Sequence, residues 1–161
     1  MKVYTHYLEE GACFRWRTLL QFGNSWDIIG SVVMKNPGTA APKCQVTDKN
    51  TLKLLSFFDN TMYDWFEFSP DSTMNCVGDL FAYYYDKSNK NDLQGVVQIF
   101  NLFYLREGDL GKALELHKKN KFPFASEEEI IQNDISQLKA PIYLGFAGLA
   151  FDKYYADKAK R

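Results

Sequence analysis

The stretch Ile28-Ile29-Gly30-Ser31-Val32-Val33-Met34-Lys35-Asn36-Pro37-Gly38-Thr39-Ala40-Ala41-Pro42 begins as an apolar, β-branched run and ends in a polar turn. A run that is apolar on both faces predicts a central strand of a covered sheet. Pro37 has no N–H to donate to a neighbouring strand, so we expect the strand to end at or near Asn36. Gly38 tolerates a positive φ and lets a ligand approach the backbone. Because ligands of open α/β sheets lie outside the carboxyl ends of the strands, this turn is the predicted position of a ligand site.

Length and composition predict one globular domain over residues 1–161, since 46% of the residues are hydrophobic and 24% are charged. The formal net charge of −1 argues against nucleic acid as a partner, because tight binding to nucleic acid usually needs a basic face. A local basic patch stays open, because the net charge does not show how charges are distributed.

Cysteine and histidine spacing predicts no metal and no cofactor. Three cysteines without a CxxC pair and two histidines fit neither a disulfide framework nor a zinc site. No basic segment followed by an apolar run opens the sequence, and no apolar run approaches the ~18 residues of a membrane span. We therefore expect no membrane partner and a cytoplasmic location.

The chain alternates between strand-like and helix-like segments. A hairpin is expected to join residues 14–20 to the central strand at 27–35, and further buried strands are expected at 96–103 and 141–146. Helices are expected to begin after Thr47 or Asp48, after Asp71 or Ser72, at Asp109 and at Ser126, and a last helix after Gly148. This alternation predicts a three-layer α/β/α fold with a mostly parallel central sheet and an N-terminal antiparallel hairpin.

Several short motifs follow one another in a fixed order. They are Phe14-Arg15-Trp16-Arg17-Thr18-Leu19, Met34-Lys35-Asn36-Pro37-Gly38-Thr39-Ala40, Thr47-Asp48-Lys49-Asn50-Thr51, Asn101-Leu102-Phe103-Tyr104-Leu105-Arg106, Asn133-Asp134 and Leu144-Gly145. In this order the chain resembles the bacterial and phage proteins of domain-of-unknown-function family 1643. Members of that family carry Ser where Gly38 stands here, and their C-terminal His-Pro-Leu-Tyr motif does not occur in this sequence.

Asn36-Pro37-Gly38 is also similar to the water-activating loop of the uracil/thymine DNA glycosylases. That resemblance implies that Asn36 orients a water molecule and that the Gly38 amide faces a flipped base. Asn-Pro-Gly is also an ordinary turn tripeptide, so both interpretations stay open.

The candidate site residues cluster at two predicted strand ends. Asn36 and Asn101 each follow an apolar run, so their amides meet in one crevice if the two strands are parallel neighbours; amides suit a neutral polar ligand such as a base edge. Asn36 and Asp48 are the candidate catalytic residues, with a turn-forming Asn and a helix-capping Asp as the alternatives. The candidate ligand-binding residues are Pro37, Gly38, Thr39, Asn101 and Arg106.

Three arginines offer contacts to anions. The guanidinium of Arg106 could bind a phosphate or carboxylate, or form a surface ion pair with Glu107 or Asp109. Arg15 and Arg17 alternate with aromatic residues, which places both arginines on one face of a strand. On that face they either bind phosphates or are exposed to solvent.

Together these patterns favour a nucleotide- or nucleobase-type ligand site around Asn36 and Asn101. One alternative is a protein-interaction module without enzymatic activity, which the many aromatic residues and the absence of a catalytic triad motif favour. The other alternative is a glycosylase-like hydrolase.

Overall fold

The computed structural model describes residues 1–146 and 153–160. The strands are β1 (Lys2–Glu10), β2 (Ala12–Phe22), β3 (Ile28–Met34), β4 (Pro42–Gln45), β5 (Trp65–Phe68), β6 (Gly95–Asn101) and β7 (Ile142–Gly145). The helices are α1 (Lys49–Leu55), α2 (Ser72–Tyr84), α3 (Leu110–Lys119), α4 (Glu127–Gln137) and α5 (Lys153–Ala159). The beginning of the predicted last helix lies outside the described residues.

All of these strands belong to one seven-stranded sheet with the order β4-β5-β1-β2-β6-β3-β7. The prediction of a mixed α/β fold is confirmed, but the prediction of a mostly parallel sheet is wrong. The pairs β4–β5, β5–β1, β1–β2 and β2–β6 are antiparallel, and only β6–β3 and β3–β7 are parallel within the described chain. Parallel pairing needs a long crossover, whereas β1 and β2 are joined directly at Gly11, which adopts φ +66°.

An N-terminal hairpin exists, but it joins β1 to β2 and not β2 to β3. Strand β6 lies between β2 and β3 and pairs with both. All seven residues of β6 are buried, so the predicted core strand is confirmed over residues 96–101, and it ends at Asn101 and not at Phe103. A central position for β6 covers its backbone on both edges, which a direct β2–β3 hairpin would not achieve.

Helices α1 to α4 pack on the sheet through three core clusters. One cluster joins Val32, Val97 and Phe68 to α2 through Met74 and Phe81. The two others include residues of α3 and α4 and of α1, respectively. The predicted three-layer arrangement is not supported, since α2 is the one described helix in the first cluster and one helix does not form a layer over seven strands.

A β-bulge in β2 changes the direction of its side chains. The register between β1 and β2 shifts between Tyr4 and His6, and opposite this shift Arg17 adopts φ +54°. Arg15 packs over the ring of Phe68, whereas Arg17 packs over the ring of Phe100. The prediction that both arginines share one strand face is therefore wrong, because a bulge adds a residue to one strand and interrupts the alternation.

Candidate functional site

The carboxyl ends of the three parallel strands lie side by side. Met34 of β3 is in register with Asn101 of β6 on one side and with Gly145 of β7 on the other. The Leu102 N–H donates a hydrogen bond of 2.9 Å to the Met34 carbonyl, which continues the pairing beyond the end of β6. The strand ends thus open together at one edge of the sheet, as the sequence predicted for β3 and β6.

A cleft with a volume of about 250 Å³ lies at these strand ends. We call it the strand-end cleft; the polar or charged residues that line it are Arg15, Lys35, Asn36, Asp71, Thr73, Asn101 and Glu107. Gly38 also lines the cleft, and a Cβ at this position would come within 3.1 Å of Asp71 Oδ2. The φ of Gly38 is not positive, so a side chain here would be restricted by its tight approach to Asp71 at the start of α2 and not by the backbone conformation.

Asn36 holds the turn after β3 in place. Its Nδ2 donates to the Glu107 carbonyl at 2.6 Å and to the Pro37 carbonyl at 3.1 Å. Pro37 is buried, and its carbonyl also accepts from the Glu107 N–H at 3.2 Å. Both interpretations of Asn36 are compatible with this geometry, because Nδ2 stabilises the turn while Oδ1 stays available to a ligand in the cleft.

Arg106 clamps the same turn from its other side. Nε donates to the Ala40 carbonyl at 2.8 Å, and Nη2 donates to the Thr39 carbonyl at 2.6 Å. The guanidinium therefore forms neither of the two predicted ion pairs with Glu107 or Asp109. The side chain of Thr39 is exposed, and neither Thr39 nor Arg106 lines the strand-end cleft. Their role as ligand-binding residues stays a prediction.

Asn101 lines the strand-end cleft at the end of β6. Its residue surface is only 6% exposed, and no hydrogen bond to its side-chain amide occurs within the described residues. Asn101 therefore offers both a donor and an acceptor to a ligand.

The environment of Arg15 differs from the strand face, in contact with phosphate or solvent, that the sequence analysis expected. Its surface is 4% exposed, and its Nε and Nη1 are buried without a hydrogen-bond partner. Burial lowers the pKa of Arg15 to about 10, a shift that the charge of Asp71 opposes and that of Arg106 increases. Arg15 consequently remains cationic at neutral pH inside the wall of the strand-end cleft.

Asp48 lies apart from the strand-end cleft. It is exposed, and its Oδ2 accepts the Thr51 N–H at 2.7 Å as the N-cap of α1. Hydrogen bonds from Thr51 lower the pKa of the Asp48 carboxyl. This geometry is that of a helix-capping Asp, which was the alternative to a catalytic role for Asp48. The structure does not bring Asp48 together with Asn36.

Sequence analysis assigned no site role to four residues that line the cleft, namely Lys35, Asp71, Thr73 and Glu107. Asp71 is recognisable as the N-cap of α2, where its Oδ1 accepts the Met74 N–H at 2.8 Å. Nothing in the local pattern indicates that this cap faces Gly38, because the contact joins residues far apart in sequence.

Comparisons with family models, with curated proteins and with solved structures find no match to this chain. Over the described residues, no three His, Cys, Asp or Glu side chains are grouped so that they could hold a metal ion. Within the same part of the chain, no helix combines the length and the apolar character needed to cross a membrane.

Proposed function

We propose that this protein binds a small anionic ligand of the nucleotide type in the strand-end cleft. Arg15 would contact the phosphate, and the amides of Asn36 and Asn101 would contact the neutral polar part. The observation that carries the proposal is the buried guanidinium of Arg15, whose Nε and Nη1 have no protein partner.

The charge of Arg15 is the first argument. Burying an unpaired ion costs several kcal/mol, so a fold that retains one needs a compensating group. The described ion pairs do not include Arg15. The planar fork of a guanidinium matches the oxygens of a phosphate or carboxylate, so an anion in the cleft would provide the missing hydrogen bonds.

The size and polarity of the cleft are the second argument. Its volume of about 250 Å³ lies slightly below the range of roughly 300–1,000 Å³ typical of small-molecule pockets, so it suits a small ligand. Lys35 adds a second positive charge at the cleft wall. The carboxylates of Asp71 and Glu107 also line it and would accept hydrogen bonds from sugar hydroxyls.

The likeness to family 1643 stays part of this proposal. The motifs at residues 34–40 and 101–106 carry this likeness, and they supply the cleft residues Asn36 and Asn101. The second motif also supplies Arg106, which donates hydrogen bonds to the turn after β3. Catalysis by Asn36 or Asp48 stays a prediction.

Thermal unfolding with a panel of nucleosides and their 5′-monophosphates tests the proposal. We expect a monophosphate to raise the melting temperature more than its nucleoside, and the variant Arg15→Met to lose this difference. Loss of charge-assisted hydrogen bonds worth about 1.5–3 kcal/mol corresponds to roughly 10- to 150-fold weaker binding.

Lys53→Met is the matched control, because it removes one positive charge from an exposed position of α1. It should leave the stabilisation by monophosphates unchanged. Equal stabilisation of the Arg15→Met variant and the unmodified protein would refute the proposal, as would the absence of stabilisation across the whole panel.

A further inference from the structure

A second pocket lies between the end of α1 and the end of α4, and none of its lining residues lines the strand-end cleft. We call it the α1–α4 pocket; its volume is about 500 Å³, and the residues used below are Arg17, Trp26, Phe57, Phe58, Gln98 and Gln137. The β2 bulge turns Arg17 towards this pocket and away from the side of β2 on which Arg15 lies.

Polar atoms without partners converge on the α1–α4 pocket. Within the described residues, Arg17 Nη1, Gln98 Oε1 and Gln137 Oε1 are all buried and form no hydrogen bond. Arg17 is 7% exposed and Gln98 is 1% exposed. Unsatisfied buried polar atoms are few in native proteins, so three of them lining one pocket indicate that it receives a hydrogen-bonding group.

The neighbouring contacts fix which of these atoms donate and which accept. Arg17 donates from Nε and Nη2 to the Phe58 carbonyl at 3.1 and 2.6 Å, so Nη1 is the remaining donor. Gln98 Nε2 donates to the Gln137 carbonyl at 3.0 Å, which leaves Gln98 Oε1 as an acceptor. A complementary ligand therefore presents one acceptor and at least one N–H donor, as an amide-like edge does.

Aromatic side chains supply the rest of the pocket wall. Trp26 and Phe58 lie with ring centroids 6.0 Å apart, and Phe57 is 79% exposed beside them. Asp27 and Lys139 also line the pocket, so it carries charges of both signs. Aromatic rings stack on planar heterocycles, so this wall suits a flat ring.

We infer that the α1–α4 pocket binds a neutral planar heterocycle of the nucleobase class. The C=O group of the heterocycle accepts from Arg17 Nη1, and its N–H group donates to Oε1 of Gln98 or Gln137. The ring of the heterocycle packs against the aromatic wall. This site is separate from the strand-end cleft, and its ligand needs no phosphate.

Titration with uridine and guanosine, followed by tryptophan fluorescence and calorimetry, tests the inference. We expect at least one nucleoside to bind and to quench Trp26. The nucleoside that binds is then compared with its form methylated on the lactam nitrogen, which is 3-methyluridine or 1-methylguanosine. The methylated form should bind at least ten-fold more weakly, because the methyl group removes the N–H donor. A short single-stranded oligonucleotide of the same base is titrated in parallel. If the oligonucleotide binds more tightly than the nucleoside, a nucleic-acid strand is the source of the base.

Gln137→Met removes one acceptor while keeping the length of the side chain, and it should weaken binding about ten-fold. Gln132→Met is its matched control, because Gln132 is exposed on the same helix and contacts Glu128 instead. The inference is overturned if neither nucleoside binds, if lactam methylation leaves the affinity unchanged, or if both glutamine variants bind alike. Any of these results would assign the unpartnered atoms to water. The comparison of methylated and unmethylated nucleosides uses the unmodified protein. It therefore tests the proposed N–H contact even if Gln137→Met fails to fold.

Discussion

At the scale of single residues, Arg15 connects stability to binding. Its guanidinium lies 5.7 Å from the centroid of Phe68, and burial without a partner lowers its pKa to about 10. A buried ion without an ion-pair partner weakens the fold unless a ligand compensates it. The same side chain is therefore unfavourable in the empty protein and favourable in the complex.

Arg15→Met should keep or increase the free energy of unfolding of the ligand-free protein, with a gain of up to about 1 kcal/mol. Methionine fills a similar apolar volume and carries no charge to desolvate. Urea unfolding at neutral pH measures the change. A loss of about 2 kcal/mol or more would mean that the fold itself satisfies Arg15, and would contradict its assignment to a ligand.

Asp59 provides a pH-dependent contribution to stability. Its carboxyl lies 3.5 Å from Nε2 of the fully buried His6, and its side chain is 18% exposed. Burial alone would raise the pKa of Asp59, but the nearby His6 ring, the hydrogen bond from the Thr61 N–H and the charge of Arg17 together hold it below the ordinary value of 3.8. A carboxyl with a lowered pKa stabilises the folded state above its unfolded pKa, and this contribution is lost as the pH falls through the folded value.

Asp59→Asn should therefore cost about 1 kcal/mol at pH 7, and the difference from the unmodified protein should shrink between neutral and acidic pH, as the pH falls through the lowered pKa of Asp59. Urea unfolding across this range measures it. Glu115→Gln changes an exposed carboxyl and serves as the control. A difference that stays constant with pH would show that the effect of Asp59 is not electrostatic.

At the scale of elements, the helix starts were predictable because capping is local. Asp48, Asp71, Asp109 and Ser126 each cap the helix that follows them. An N-cap contact spans only three residues, so the sequence contains the whole interaction. The β2 bulge was not predicted, although the alternation of aromatic and basic residues at 14–17 stops at the bulge, where the polar Arg17 is followed by the polar Thr18.

Gly30 determines how β3 meets α2. It adopts φ +156°, and a Cβ at this position would collide with the ring of Phe81 and lie 2.9 Å from the Pro141 carbonyl. Gly30→Ala should lower the free energy of unfolding by about 2–3 kcal/mol, because a well-packed core cannot accept the added atom. Gly111→Ala, in the first turn of α3, should change it by less than about 1 kcal/mol. Denaturant unfolding of the two variants compares them, and equal effects would contradict the packing described for Gly30.

At the scale of the whole molecule, the sequence predicts the parallel part of the sheet better than the antiparallel part. Strands β3, β6 and β7 are apolar runs separated by helices, and such crossovers produce parallel neighbours. The prediction that the ends of β3 and β6 meet in one cleft follows from this arrangement. The expectation that 141–146 forms a buried strand is wrong, because β7 lies at the edge of the sheet and its side chains are largely exposed. Strands β4 and β5 reach their places by pairing between segments far apart in sequence, for which the local pattern carries no signal. Strands β1 and β2 form a local hairpin at Gly11, which the sequence analysis did not predict.

Because β2 runs antiparallel to β6, its beginning lies beside the end of β6. The Arg15 N–H donates to the Tyr104 carbonyl at 2.8 Å, just beyond Asn101. This topology brings the cation of one strand to the amides at the ends of two others, and the proposed ligand site depends on it.

The most direct test of the ligand site is the Nε–H resonance of Arg15 during titration with a nucleoside 5′-monophosphate, followed by ¹H–¹⁵N NMR. We predict that the Arg15 resonance moves downfield together with the side-chain amides of Asn36 and Asn101, and that the parent nucleoside leaves the Arg15 resonance in place. If the protein becomes saturated while Arg15 stays unmoved, or if the nucleoside moves it equally, the phosphate does not bind at this guanidinium and the proposed site is wrong.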